Sequence, residues 1–476
     1  MYLRRLKVRN LKLLRDVEIS FERNGEVRPW TVFVAENGLC KTALLQAIAM
    51  AASGPTLASE LADVASLPDR RHPEEETLIA AEFSLGRENH RLRQYPGFDK
   101  RPIRPPTVDC ELTTQHGWRE FKGWSSYGDK DRQWPSDMAA DPLREARREQ
   151  LPYWFVAGYG VDRSLPPPGG TRRTDLFSDP IKQRLENLFD QRKLTATGFS
   201  DFLETDLAHA YNHALIKVLL ADKLLPRITE VRMRHPSQKV RSVQEIRESH
   251  LFHFEQGGAS VPIPTTWLSR GYQSTIAWLA DLIGQFLLEA GTEVDPRRME
   301  GLVLIDELDL HLHPTWQAAL IPALKHVFPK LQFIGTTHSA MLLPGLVQDE
   351  VLLLKQDEEG NVVVEPAPAS PALMTGSEIF ESFFGIHHLY PDKLGQDLQR
   401  FGYLASNPYR SDDEEREMGV VLNRLKKEGV EPGWTPVARQ KPTVAKPRPS
   451  SKRRVTPGQR AAPKRVRAGR TGRKKR

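Results

Sequence analysis

At 476 residues, 39% hydrophobic and 27% charged, the chain can hold one large or two to three ordinary domains and has the balance of a soluble globular protein. Two cysteines, Cys40 and Cys110, exclude a disulfide framework and a cysteine-based zinc site. The net charge of +7 is unevenly spread: Val437–Arg476 carries 16 Lys/Arg and no Asp/Glu, leaving 52 bases against 61 acids elsewhere.

Met1–Asn10 has no apolar h-region, so no secretory signal is expected. Leu3–Val8 and Val17–Phe21 alternate apolar with polar positions, as two short strands do, and Trp30–Val34 is a third apolar run. Glu36, Asn37, Gly38, Leu39, Cys40, Lys41 and Thr42 follow, leading straight into a helical pattern that opens at Ala43. Strand, tight loop, Lys-Thr and helix make up the context of a phosphate-binding loop. In that reading backbone N–H groups face the phosphates, Lys41 reaches the β/γ-phosphates and the Thr42 hydroxyl touches Mg²⁺. Ala35 and Cys40 stand where such a loop usually has glycine. A thiol at a helix N-terminus beside Lys41 is expected to ionise more easily than usual.

Leu78–Leu85 and Val108–Thr113 read as strands. Leu151–Arg163 is an apolar strand ending in Gly-Tyr-Gly, either lining a nucleotide or forming a plain turn, and Pro166–Gly170 marks a linker. Pro180–Leu225 is helical in pattern, and Val231–Gln256 holds one or two strands. Leu268-Ser-Arg-Gly-Tyr-Gln273 precedes an amphipathic helix, Ser274–Ala290, and fits a second anion site or an ordinary helix cap. Asp281 and Gln285 interrupt the most apolar part of that helix, so it is expected to be buried rather than membrane-spanning. A cytoplasmic protein follows.

Gly301–Ile305 is an apolar strand that ends in adjacent carboxylates, Asp306 and Glu307. Such a pair suits a Mg²⁺-nucleotide, one acid holding the ion and the other taking a proton from an attacking water. Pro314–Val327 is helical, and Leu331–Ser339 is a strand carrying His338 near its end. His311 and His313 have a zinc-gripping spacing, but no third ligand is near in sequence. Gly376–Tyr403 and Asp412–Lys427 read as short helices, the second opened by Ser411-Asp-Asp-Glu-Glu.

In this order the elements resemble ABC-type ATPases, and most closely the compact branch related to RecF, SMC-type heads and the OLD/Septu-type phage-defence ATPases. The resemblance matches residues 35–42 to Walker A, Leu268–Gln273 to the signature loop and Val303–Glu307 to Walker B. It matches Leu308–Asp309 to the D-loop and His338 to the switch histidine. It implies an α/β fold: an ABC-type P-loop ATPase head, with a mixed sheet plus a helical lobe. The expected organisation is ATPase lobe I in 1–165 and 299–370, and helical lobe II in 166–298. A helical appendage in 371–436 and a disordered basic tail in 437–476 complete it.

The same resemblance implies a head-to-tail dimer. ATP and Mg²⁺ held by Lys41, Thr42 and Asp306 of one copy would be closed off by Ser269, Gly271 and Gln273 of the other, with Asp309 at the cofactor. Glu307 would polarise the attacking water and His338 would sense the γ-phosphate. The Gly158–Arg163 segment occupies the Q-loop region but carries no Gln. The 225 residues between Thr42 and Leu268 hold no sustained heptads, and the segment after Asp306-Glu307 differs from that of transporter subunits. No nuclease pattern follows His338, so an effector such as a nuclease is expected as a separate partner. The basic block fits DNA or RNA binding through its phosphates, or a merely solubilising tail. The functional expectation is an ATP switch in antiviral defence or DNA repair; its rival is an ATP-bound scaffold with little turnover.

Overall fold

The alternation near the N-terminus folds into two antiparallel strands, β1 (Tyr2–Leu11) and β2 (Leu14–Ser20). A two-residue hairpin follows, β3 (Glu22–Arg23) with β4 (Glu26–Val27), and then β5 (Trp30–Val34), buried at every residue. The computed structural model describes residues 1–84, 107–127, 155–165, 179–190, 205–235, 245, 248–290, 294–386, 392–433 and 435–439. The basic block beyond residue 439, the Pro166–Gly170 linker and the first residues of the strand expected at Leu151 lie outside them. Contacts divide the chain into two units, Met1–His387 and His388–Arg476.

In the first unit β1 and β2 join β6 (Thr77–Ser84), β7 (Thr107–Thr114) and β8 (Lys122–Tyr127) in an antiparallel sheet ordered β2-β1-β6-β7-β8. The second sheet is mixed. It contains β9 (Val156–Tyr159), β13 (Gly301–Ile305), β14 (Leu331–Thr337), β15 (Val351–Gln356) and β16 (Val362–Pro366), in the order β16-β15-β5-β14-β13-β9. All its pairings are parallel except β15 with β16. Continuous burial of β5, β13 and β14 is what parallel strands covered on both faces require.

Between the sheets lies α1 (Lys41–Leu61), kinked at Gly54-Pro55. Its alanine-rich stretch Ala47–Ala52 is buried all round, as a helix enclosed on both faces must be. Leu44, Leu45 and Ile48 pack among Val8 and Ile79 of one sheet and Phe33 and Ile334 of the other. Each such side chain stabilises the sandwich by about 1.5–3 kcal/mol on burial.

The opposite face of the parallel sheet is covered by α3 (Thr205–Leu220), α4 (Arg270–Ala290) and α5 (Pro314–Val327). The region expected to be a helical lobe is not purely helical. It includes an antiparallel sheet of β10 (Ile228–Arg232), β11 (Leu251–Gln256) and β12 (Ala259–Pro264), whose Phe252 joins the same core. The helix α2 (Pro180–Phe189), capped by Asp179, runs against β9. Gly158 and Gly160 allow that approach: a Cβ on Gly160 would lie 2.4 Å from the Asn187 carbonyl oxygen. Gly-Tyr-Gly therefore marks close strand–helix packing.

The stretch Gly376–Tyr403 is broken into two helices. The first, α6 (Gly376–Phe384), ends at Gly385 with φ 66 and buries Ile379 and Phe383 in the core of the first unit. The second unit begins at His388 and contains α7 (Asp392–Ser406) and α8 (Asp412–Lys427). Leu398, Phe401, Leu404, Met418, Val421 and Leu425 form its core. Ser411 and Glu414 cap α8 reciprocally, which is why Ser-Asp-Asp-Glu-Glu starts a helix there. Among the described residues no helix is long and apolar enough to cross a membrane.

Gly160→Ala must push α2 off β9 and is expected to destabilise the first unit by about 1–3 kcal/mol. Gly376→Ala, whose Cβ meets open space, should leave the melting temperature unchanged. Thermal unfolding of the two variants checks this.

Candidate functional site

Four parallel strands deliver the site from their C-terminal ends. In sheet order β5 leads to the loop before α1, β14 to Thr337 and His338, β13 to Asp306 and Glu307, and β9 to Gly160–Arg163. The crevice beyond the carboxyl ends of parallel strands is where open α/β sheets take ligands.

The loop of residues 35–40 is held open by backbone conformation. Gly38 has φ 84 and Cys40 has φ 58, so Cys40 occupies a left-handed position that favours glycine. Glu36, Asn37 and Gly38 are exposed, while Leu39 and Cys40, partly buried, pack against the core that includes Leu14. Cys40 makes no side-chain cap for α1, whose first intrahelical bond runs from Leu44 N–H to Cys40 O at 3.0 Å. Burial pushes the Cys40 thiol above its usual pKa, against the opposing pull of the Leu13 backbone and Lys12. The expectation of an easily ionised thiol is therefore wrong, because desolvation outweighs the Leu13 hydrogen bond and the nearby Lys12 and Arg71.

Lys41 is buried, and its ammonium donates to the carbonyls of Ala35 (3.0 Å) and Glu36 (2.8 Å) across the loop. Burial lowers its pKa, opposed by Asp306, Glu307 and Asp309, so three carboxylates stand within electrostatic reach. Thr42 Oγ1 donates to Asp306 Oδ2 at 2.7 Å, and Thr336 Oγ1 donates to Asp306 Oδ1 at 2.6 Å. One buried carboxylate thus ties α1, β13 and β14 together. Ala43, the next helical residue, is buried.

Glu307 has φ 47, a left-handed conformation costing about 1–2 kcal/mol for a residue with a Cβ. Its N–H donates to Thr336 Oγ1 at 2.7 Å, and its carbonyl accepts from Arg163 Nη2 at 2.7 Å and from Leu310 N–H at 3.0 Å. Its carboxylate has no hydrogen-bond partner among the described residues. Arg163, 3% exposed, also donates to the carbonyls of Gly160 (3.0 Å) and Asp306. Burial lowers the Arg163 pKa to about 10, opposed by Asp306, Glu307 and Asp309, so it stays charged at neutral pH.

Asp309 is turned toward β14: its Oδ1 accepts from Thr337 Oγ1 at 2.6 Å and from the His338 N–H at 3.2 Å. The half-buried His338 therefore sits at a strand end fixed through its backbone. Ser269, Gly271 and Gln273 make no hydrogen bond to the Lys41–Asp306 cluster. Ser269 is exposed just before α4, and Gln273 folds back on the Leu268 carbonyl at 2.7 Å. A Cβ on Gly271 would lie 2.5 Å from the His311 carbonyl oxygen, so this loop packs directly on the one after Glu307. His313 caps α5 through Thr315, a structural use of the His-x-His pair.

Sequence reasoning missed Arg163 and gave no role to Thr336. The only signal for Arg163 was an Arg closing the turn after an apolar strand, and it gains meaning only once β9 is β13's neighbour. Oxygens sharing an edge of a Mg²⁺ octahedron, each about 2.0–2.1 Å from the ion, lie roughly 2.9 Å apart. The Thr42 hydroxyl and Asp306 carboxylate, 2.7 Å apart, fit that donor set.

A family model described as "AAA domain, putative AbiEii toxin, Type IV TA system" matches residues 31–343, well over half the chain. The chain belongs to this AAA-domain family. The match begins within β5 and ends beyond His338, enclosing the whole cluster. The chain is similar to the Septu protein PtuA of Bacillus mycoides (strain KBAB4), 25% identical over 433 residues, covering 90% of this chain and 50% of that protein. It is also similar to the Retron Ec83 probable ATPase of Escherichia coli, 31% identical over 166 residues, covering 35% of this chain and 30% of that one. This AAA-domain chain thus spans half or less of these relatives' length. Among solved structures, the Smc head bound to the C-winged helix domain of ScpA aligns over 79% of this chain and 100% of its own, at 14% identity and a TM-score of 0.45.

Thr336→Val removes a donor to Asp306 and the acceptor for the Glu307 N–H while keeping the volume. It should destabilise the first unit by about 1–3 kcal/mol, since a buried carboxylate and an amide each lose a partner. Equilibrium denaturation checks this; an unchanged midpoint contradicts the role given to Thr336.

Proposed function

We propose that the chain binds and hydrolyses ATP as a dimeric nucleotide switch, in a prokaryotic antiviral defence or DNA repair system, with a separate effector such as a nuclease. The observation that carries this reading is the convergence of Lys41, Thr42, Asp306 and Glu307 at adjoining strand ends, with Thr42 and Asp306 bonded directly. Lys41 and the N-terminal amides of α1 bind the β/γ-phosphates, with Glu36, Asn37, Gly38, Leu39, Cys40 and Ala43 shaping the loop around them. Thr42 and Asp306 hold Mg²⁺. When bound, the ion neutralises charge on the transferred phosphoryl group.

Glu307, whose carboxylate is uncommitted, takes the proton of the attacking water, and His338 senses the γ-phosphate. Ser269, Gly271 and Gln273 of the partner copy close the site, with Ser269 exposed as a trans contact needs to be. Asp309 links the two functions by holding the β14 end that carries His338. Septu and retron names among the relatives support the defence setting, and the basic block supports a nucleic acid, DNA or RNA, as a further contact.

Turnover of Mg-ATP by wild type and Glu307→Gln, each with and without double-stranded DNA, tests the reading. Glu307→Gln should bind ATP but lose about 10²–10⁴-fold in kcat, the usual worth of a general base. Equal turnover by the two removes Glu307 from the chemistry. A wild type that binds ATP and is as inert as the variant favours the scaffold, with nucleotide holding a partner rather than being consumed.

A further inference from the structure

The segment from Phe155 to Arg163 is held by two helices and ends at the acidic turn. From α2, Arg184 Nε donates to the Val156 carbonyl at 3.1 Å. Asn187 accepts the Gly160 N–H at 2.7 Å and donates to the Asp162 carbonyl at 2.9 Å. From α4, Asp281 accepts the Tyr159 hydroxyl at 3.4 Å, and Glu289 pairs with Arg184 in an ion pair whose side chains are 2% and 7% exposed. The Tyr159 carbonyl takes the Asp306 N–H at 2.8 Å, and Arg163 reaches the carbonyls of Asp306 and Glu307. The helix that begins just after Ser269 is thereby joined to the backbone that aims Glu307.

We propose that Arg163 is the positioning residue for Glu307, and that the Tyr159–Arg163 segment transmits the placement of α4 to the acidic turn. The inference rests on the reading of Glu307 as the base. Arg163 acts through the backbone: it is buried, Nη1 donates to the Gly160 and Asp306 carbonyls, and Nη2 donates to the Glu307 carbonyl. Among the described residues its Nε has no partner and no carboxylate side chain bonds it, which makes this a costly way to fill space. What a guanidinium supplies that an apolar side chain cannot is a planar fork spanning two successive carbonyls. Those carbonyls flank the peptide that sets Glu307 at φ 47, the conformation least able to persist unaided. The Thr336 hydroxyl fixes the N–H side of Glu307, and Arg163 with the Leu310 N–H fixes its carbonyl side, so losing Arg163 loosens the carboxylate without emptying the nucleotide site.

Steady-state turnover and fluorescent-ATP binding are measured on the full chain for wild type, Arg163→Lys, Arg163→Gln and Tyr159→Phe. Arg163→Gln should lose about 10²-fold in kcat, the scale of a 1 Å misplacement, with KM and ATP affinity within about threefold of wild type. Arg163→Lys, which keeps the charge but reaches one carbonyl, should lose less. Tyr159→Phe removes a single hydroxyl and should lower kcat several-fold at unchanged KM, which keeps the inference falsifiable if the Arg163 variants do not fold. An active wild type with unimpaired kcat in the folded variants, or with kcat and affinity falling together, overturns this inference alone. An inert wild type overturns the reading of Glu307 and this inference with it.

Discussion

The Asp306 carboxylate is the point on which this site depends. It is 4% exposed, and each oxygen takes one hydroxyl, Thr42 from the start of α1 and Thr336 from β14. A polar group buried there needs hydrogen-bond partners, and the two threonines supply one to each oxygen. The same bonds set geometry. They fix the helix that follows the phosphate-type loop against the strand carrying the acids, across the intervening strand. Because β5, β14, β13 and β9 lie side by side in that order, each contributes to one line of chemistry.

The acids differ in how they are held. Asp306 and Asp309 are committed through their side chains, Asp309 to Thr337 and His338. Glu307 is committed through its backbone alone, to Thr336, Leu310 and Arg163. A carboxylate held by its main chain keeps its own oxygens available, which is what proton transfer requires. The strain of a left-handed Glu307 is thus offset by three backbone hydrogen bonds rather than by any contact of its carboxylate.

Much of the fold was legible in the sequence because buried parallel strands read as unbroken apolar runs: Trp30–Val34, Gly301–Ile305 and Leu331–Thr337 are all found as expected. The Lys41-Thr42 and Asp306-Glu307 pairs were legible because their chemistry is local. What was not legible depends on neighbours remote in sequence. Arg163 matters only because β9 pairs with β13, 143 residues away from it at the Asp306 bond. Gly271 looked like part of an anion site, yet its lack of a Cβ also admits the His311 carbonyl. The Cys40 thiol followed its burial, which outweighs the Leu13 hydrogen bond and Lys12, a balance that composition cannot weigh. Strand β8 and the hairpin β15–β16 escaped notice because they follow turns of ordinary composition and carry no distinguishing motif.

In the proposed function, the exposed Ser269 and the uncommitted Glu307 carboxylate belong to a site that a second copy would complete when nucleotide is present. Sedimentation velocity of Glu307→Gln, in which ATP should persist, measures that directly with and without Mg-ATP. The account predicts a dimer that forms with Mg-ATP, disperses when the nucleotide is removed, and is lost on adding Ser269→Arg to the same chain. An unchanged sedimentation coefficient in saturating Mg-ATP would contradict it.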